Sequence, residues 1–126
     1  MKSWIAAATI VLTAVPALAQ WTPTDDVMIV EAKGDGAWAV TCQLQDRKGA
    51  TVSREVRGGK KGWQRLTQLD ARGGQCSYQA APDRPLTIRM RGGLYACPLP
   101  TVSKGWCEQA VAAGGSGQFD IKRRDL

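Results

Sequence analysis

Apolar and polar residues alternate with a period of two in segment after segment of this chain, and that is the period of a half-buried strand rather than a helix. Trp38, Val40, Cys42 and Leu44 fall on one face, with Ala39, Thr41 and Gln43 on the other. The alternation recurs at Cys76, Tyr78 and Ala80, and at Leu86, Ile88 and Met90 opposite Thr87, Arg89 and Arg91. It returns at Phe119 and Ile121 opposite Asp120 and Lys122. One dry face and one wet face characterise antiparallel sheets. Between the segments stand the pairs Gly58-Gly59, Gly73-Gly74, Gly92-Gly93 and Gly114-Gly115, which punctuate strands with turns.

The less regular segments carry weaker expectations. Val27 to Val30 is a continuous apolar run, expected to be a strand covered on both faces. Asp46-Arg47-Lys48-Gly49 reads as a hairpin turn, and Gly34-Asp35-Gly36 as another. In Thr51 to Arg57, Arg54 falls on the face of Val52 and Val56, which suits an edge strand whose inward charge blocks pairing with another chain. Trp63 to Leu69 changes phase, as a bulged strand or a helical turn would. Cys107 to Ala113 is the only other stretch with tolerable helix propensity. The expected fold is all-β, a small antiparallel β-sandwich or barrel of about seven or eight strands.

The beginning of the chain reads differently. Lys2, twelve largely apolar residues from Trp4 to Val15, Pro16 and the small-residue pattern Ala17-Leu18-Ala19 have the form of a cleavable secretory leader. Residues 1–19 are therefore expected to be a signal peptide and residues 20–126 a single exported domain, periplasmic or extracellular. No apolar run reaches the ~18 residues of a membrane span, so no transmembrane segment is expected in the mature chain. Cys42, Cys76, Cys97 and Cys107 are separated by 33, 20 and 9 residues and contain no Cys-x-x-Cys pair. In an exported small domain an even number so spaced points to two disulfides rather than to a metal site. The favoured pairing is Cys42–Cys76, on two strand-like segments, with Cys97–Cys107 closing a short loop at low entropic cost.

The chain has no histidine, which removes the commonest general base, the usual catalytic triads and most zinc and haem sites. No cofactor is expected. Gly34-Asp35-Gly36-Ala37-Trp38-Ala39 formally satisfies a dinucleotide fingerprint, but a strand follows where that motif needs a helix. The Arg-Gly-Gly triplets at 57, 72 and 91 divide ordered strands, so they read as strand ends before turns and not as a nucleic-acid tail. A carboxylate pair such as Glu108 with Asp70 or Asp120 would serve a glycan-cleaving enzyme only if the fold brought the two together.

The net charge of +6 has more content. Arg89 and Arg91 are expected to face solvent on one strand, and Lys122 and Arg124 on another. If those strands were neighbours in one sheet, the four cations would attract an anionic envelope polymer or envelope protein. Arg47, Lys48, Lys60 and Lys61, in turns, would widen the patch. The main expectation is thus a non-catalytic exported binding module that uses Arg89, Arg91, Lys122, Arg124 and Trp106. The alternative is an inhibitor of a secreted enzyme that presents the disulfide-closed loop 97–107, with Leu99, Val102, Lys104 and Trp106 on it. Trp106 would either dock on a partner or turn inward over the end of the sheet.

Overall fold

The structure, a computed structural model, describes residues 26–126, so the expected leader and Trp21 lie outside the described residues. Nine strands follow in order: β1 (Val27–Gly34), β2 (Ala39–Gln45), β3 (Thr51–Arg57), β4 (Gln64–Leu69), β5 (Gly73–Gln79), β6 (Leu86–Arg91), β7 (Thr101–Ser103), β8 (Trp106–Val111) and β9 (Ser116–Lys122). They make two antiparallel sheets, one ordered β4-β1-β6-β8-β7 and the other β3-β2-β5-β9. The expected all-β architecture is present as two layers, with nine strands instead of seven or eight.

The difference lies at the cysteine loop. Trp106 to Val111 forms β8 although its propensity tolerates a helix, because Cys107 and Val111, four apart, share a core face in either geometry and ladder partners on both sides fix the strand. Tertiary pairing overrides a weak local preference. The short β7 was hidden among prolines. Trp63 to Leu69 resolves as a strand in continuous register with β1, from Val27 opposite Leu69 to Ala32 opposite Gln64. Its change of phase arises because Leu66 is buried whereas Leu69 stays 56% exposed.

Two turn expectations also change. Asp46 to Gly49 does close the β2–β3 hairpin, with Asp46 Oδ1 accepting bonds from the amides of Lys48 and Ala50 at 2.9 Å each. Gly34-Asp35-Gly36, by contrast, is no hairpin turn: it carries the chain from β1 to β2 in the opposite sheet. Gly73 and Gly74 belong to β5 rather than to a turn.

The inward phases of the two sheets supply one core, in which Met28, Val30, Ile88 and Met90 face Val40, Leu44, Phe119 and Ile121. Cys42 and Cys76 lie opposite each other in the β2–β5 register and form a fully buried bridge, and Cys97 bonds to Cys107, so both expected pairings are present. β3 is an edge strand as Arg54 suggests; the Arg54 guanidinium donates to Gln68 Oε1 of β4 at 3.1 Å, tying the two layers along that edge. At the end of the sandwich near the C-terminus, the Tyr95 hydroxyl donates to the Ala71 carbonyl at 3.1 Å. Asp70 is held there between Arg47 and Arg123.

Candidate functional site

The outer face of the five-stranded sheet is where charge and aromatic surface come together. The registers of β4, β1, β6 and β8 place Arg65, Glu31, Arg89 and Glu108 in one row across it. Glu31 follows the apolar run of β1 yet points outward, and only 3% of it is exposed. Its carboxylate accepts from Arg65 Nε at 2.6 Å and from Arg89 Nε and Nη2 at 2.8 and 2.6 Å. Burial by itself would raise the Glu31 pKa. The hydrogen bonds and charges of the two arginines outweigh it and hold the carboxyl below its ordinary 4.5.

Arg89 lies between two indoles. Its guanidinium carbon is 3.8 Å from the ring centre of Trp63 and 4.1 Å from that of Trp106. Arg91 reaches the same Trp106 ring at 4.8 Å, and the Lys33 ammonium stands 5.9 Å from Trp63. Trp106 and Trp63 thus bracket the central arginine from opposite sides of the sheet, one beginning β8 and the other preceding β4. A planar guanidinium can stack on rings while its edge nitrogens bond a carboxylate, which an ammonium cannot do. The result is a fixed stack anchored on a buried acid.

Around this stack stand cations that form no ion pair among the described residues. Lys33, Lys60, Lys61 and Arg84 surround a depression of about 740 Å³ walled by Trp63, with Asp35 as its acidic member. On the other flank Arg91 and Arg124 line a second depression of about 450 Å³.

This placement changes the expected patch. β6 and β9 belong to different sheets, so Arg89 and Arg91 are not neighbours of Lys122 on a common face. Lys122 lies on the far face, beside Asp120 and opposite Gly73. Arg124, beyond the end of β9, turns back to the first layer: its amide donates to the Leu94 carbonyl at 2.8 Å and its guanidinium to that of Gly93. That brings it beside Arg91. Arg89 does face outward, but its charge is taken up by Glu31 and its side chain is only 22% exposed. Trp106 neither turns inward nor stands free; it packs against Arg89 and Arg91 on the outer face.

Glu108 and Asp120 face outward from different sheets, and Asp70 is engaged by Arg47 and Arg123, so these carboxylates do not form a facing pair. The loop 97–107 is largely a β7–β8 hairpin, turned at Lys104 and Gly105, both with positive φ, and its Leu99 is buried.

Sequence reasoning missed Glu31, Lys33 and Arg84 and read Trp63 as the start of a segment that changes phase. A signal for Glu31 existed: an acid placed directly after four apolar residues, in phase with Ile29, needs a cationic partner if the strand is central. Comparison with protein-family models, curated proteins and solved structures finds no match to this chain, so the reading of the site rests on its own residues.

Proposed function

We propose that this chain is a non-catalytic, exported β-domain that binds an anionic envelope component through the outer face of its five-stranded sheet. The observation that carries the reading is the Trp63–Arg89–Trp106 stack on Glu31 beside Lys33, Lys60, Lys61 and Arg84, which form no ion pair among the described residues. A stacked floor with long-stemmed cations around it suits a polymer that carries repeated negative charge, because the floor is already assembled before binding and the long stems can follow the spacing of the charges. Arg89 acts as a positioning residue in this reading, and Lys60 and Lys61 as contacts. The two disulfides favour an oxidising compartment, in keeping with export.

The test is binding of the oxidised protein to polyphosphate and to polygalacturonate over a range of salt. Coulombic binding weakens steeply as salt rises. The double variant Lys60→Ala with Lys61→Ala should weaken it about tenfold or more, on the basis of about 1 kcal/mol per cation at an anionic surface. Binding indifferent to salt, or to the loss of both lysines, would overturn the reading.

A further inference from the structure

On the opposite flank of the stack, the β7–β8 hairpin encloses a crevice of about 110 Å³ with Met90, Tyr95, Pro98, Val102, Trp106 and the Cys97–Cys107 bridge in its lining. Val102, on the edge strand, is 70% exposed and forms one wall of the crevice. The crevice adjoins the 450 Å³ depression, because Arg91, Gly92 and Gly105 line both. Gly92 at the junction packs closely on its neighbours: a Cβ there would lie 2.7 Å from the Tyr95 ring and 2.9 Å from the Val27 carbonyl oxygen, so a larger residue would displace the Tyr95 wall of the crevice. The depression has Val27 and Ile29 on its floor and Arg91 and Arg124 on its rim, neither arginine ion-paired among the described residues.

An apolar slot that opens onto two guanidinium groups with no carboxylate partner among the described residues has the polarity of an anionic amphiphile. We propose that it binds a single acyl or alkyl chain bearing an anionic head group, with the end of the chain in the crevice against Val102 and Trp106 and the head between Arg91 and Arg124. A cavity of about 150 Å³ accommodates a benzene ring, so the crevice takes one chain over a few carbons and not a pair of chains. That favours a monomeric amphiphile over a bilayer surface. The inference shares Trp106 with the polymer reading but none of its contact cations, since Lys60, Lys61 and Arg84 take no part in it.

The experiment is a titration of n-alkyl phosphates of increasing length, each below its micelle concentration, into the full oxidised protein, followed by calorimetry. Affinity should rise about fourfold for each methylene that enters the crevice and then level off. The alkanol of equal length should bind at least tenfold more weakly. Val102→Asp, at an exposed position, should abolish the dependence on length, and Arg124→Ala should narrow the gap between phosphate and alcohol while keeping that dependence. Affinity independent of chain length, an unchanged length series in Val102→Asp, or binding to anionic vesicles with none to monomeric alkyl phosphates would overturn the proposal. Lys60→Ala with Lys61→Ala should leave the series as it is, which separates this site from the polymer site.

Discussion

Glu31 and Arg89 stand opposite each other in the β1–β6 register, and the buried carboxylate of the first bonds two nitrogens of the second while indoles cover the arginine on either side. Removing one partner of such a pair leaves a charge with little water around it. Arg89→Ala should therefore cost about 2–4 kcal/mol, below the usual figure for a broken buried pair because Arg65 still bonds Glu31. Arg89→Lys should recover only part of the loss, since an ammonium is neither planar nor bidentate. Urea unfolding followed by tryptophan fluorescence measures both, and equal stability of all three proteins would refute the stack's structural role.

The same pair gives the domain an acid limit. Glu31 titrates below 4.5 in the folded state, since its two arginines outweigh the effect of burial. A carboxyl depressed by folding contributes stability that is complete above its unfolded pKa and is lost as pH falls through the folded one. Asp70 behaves alike, held down by the hydrogen bond from Arg47 and the charge of Arg123. Melting temperature should accordingly stay level above about pH 5 and decline below 4.5. Glu31→Gln should melt lower at neutral pH but show a shallower decline in acid. A decline as steep as that of the parent would assign the acid limit to other groups.

Alternation alone made β2, β5, β6 and β9 legible, because each has one face in the core and the period of two survives in the sequence. Cysteine spacing and strand assignment together made both disulfides legible. What failed was the grouping of the outward cations, which depends on which sheet each strand joins. Arg89, Arg91, Lys122 and Arg124 all look like outward cations along the chain, but strand order divides β6 from β9 between two layers. Composition likewise gives no sign that Arg89 is spent on Glu31, a residue 58 positions away. The return of Arg124 to the side of Arg91 depends on backbone bonds to Gly93 and Leu94, which no periodicity records.

Gly58 illustrates packing that a sequence leaves unmarked. It follows β3, donates its amide to the Trp38 carbonyl at 2.8 Å, and lies flat against the Trp38 indole. A Cβ there would overlap the Gly36 carbonyl oxygen and come within 2.6 Å of the ring. Trp38 cannot retreat, being 3% exposed and fixed by its Nε1 bond to the Gly34 carbonyl at 2.9 Å. Gly58→Ala should destabilise by about 1–3 kcal/mol as an overpacking change and perturb the near-ultraviolet tryptophan spectrum. The neighbouring Gly59→Ala meets no atom within 4 Å, so any loss there should come from its φ of 109° and leave the Trp38 signal unchanged.

The two disulfides should open in a fixed order. Cys42 and Cys76 are wholly buried between β2 and β5, whereas Cys97 is exposed at the mouth of its loop although Cys107 is 6% exposed. Exchange needs a thiolate to reach a sulfur, so access decides the rate while the fold persists. Limited reduction followed by alkylation should label Cys97 and Cys107 first. The bridges span 34 and 10 residues, which in the chain-entropy picture corresponds to about 4 kcal/mol for Cys42–Cys76 and about 3 kcal/mol for Cys97–Cys107. Loss of the second should leave β8 paired to β6, and hence the Arg89 stack in place, while loosening β7 at the edge. The singly reduced species should keep its near-ultraviolet tryptophan signal and lose alkyl-chain binding. Mass spectrometry of the alkylated peptides checks the order, and early labelling of Cys42 or Cys76 would show that the core bridge is reached by unfolding at no greater cost than the loop.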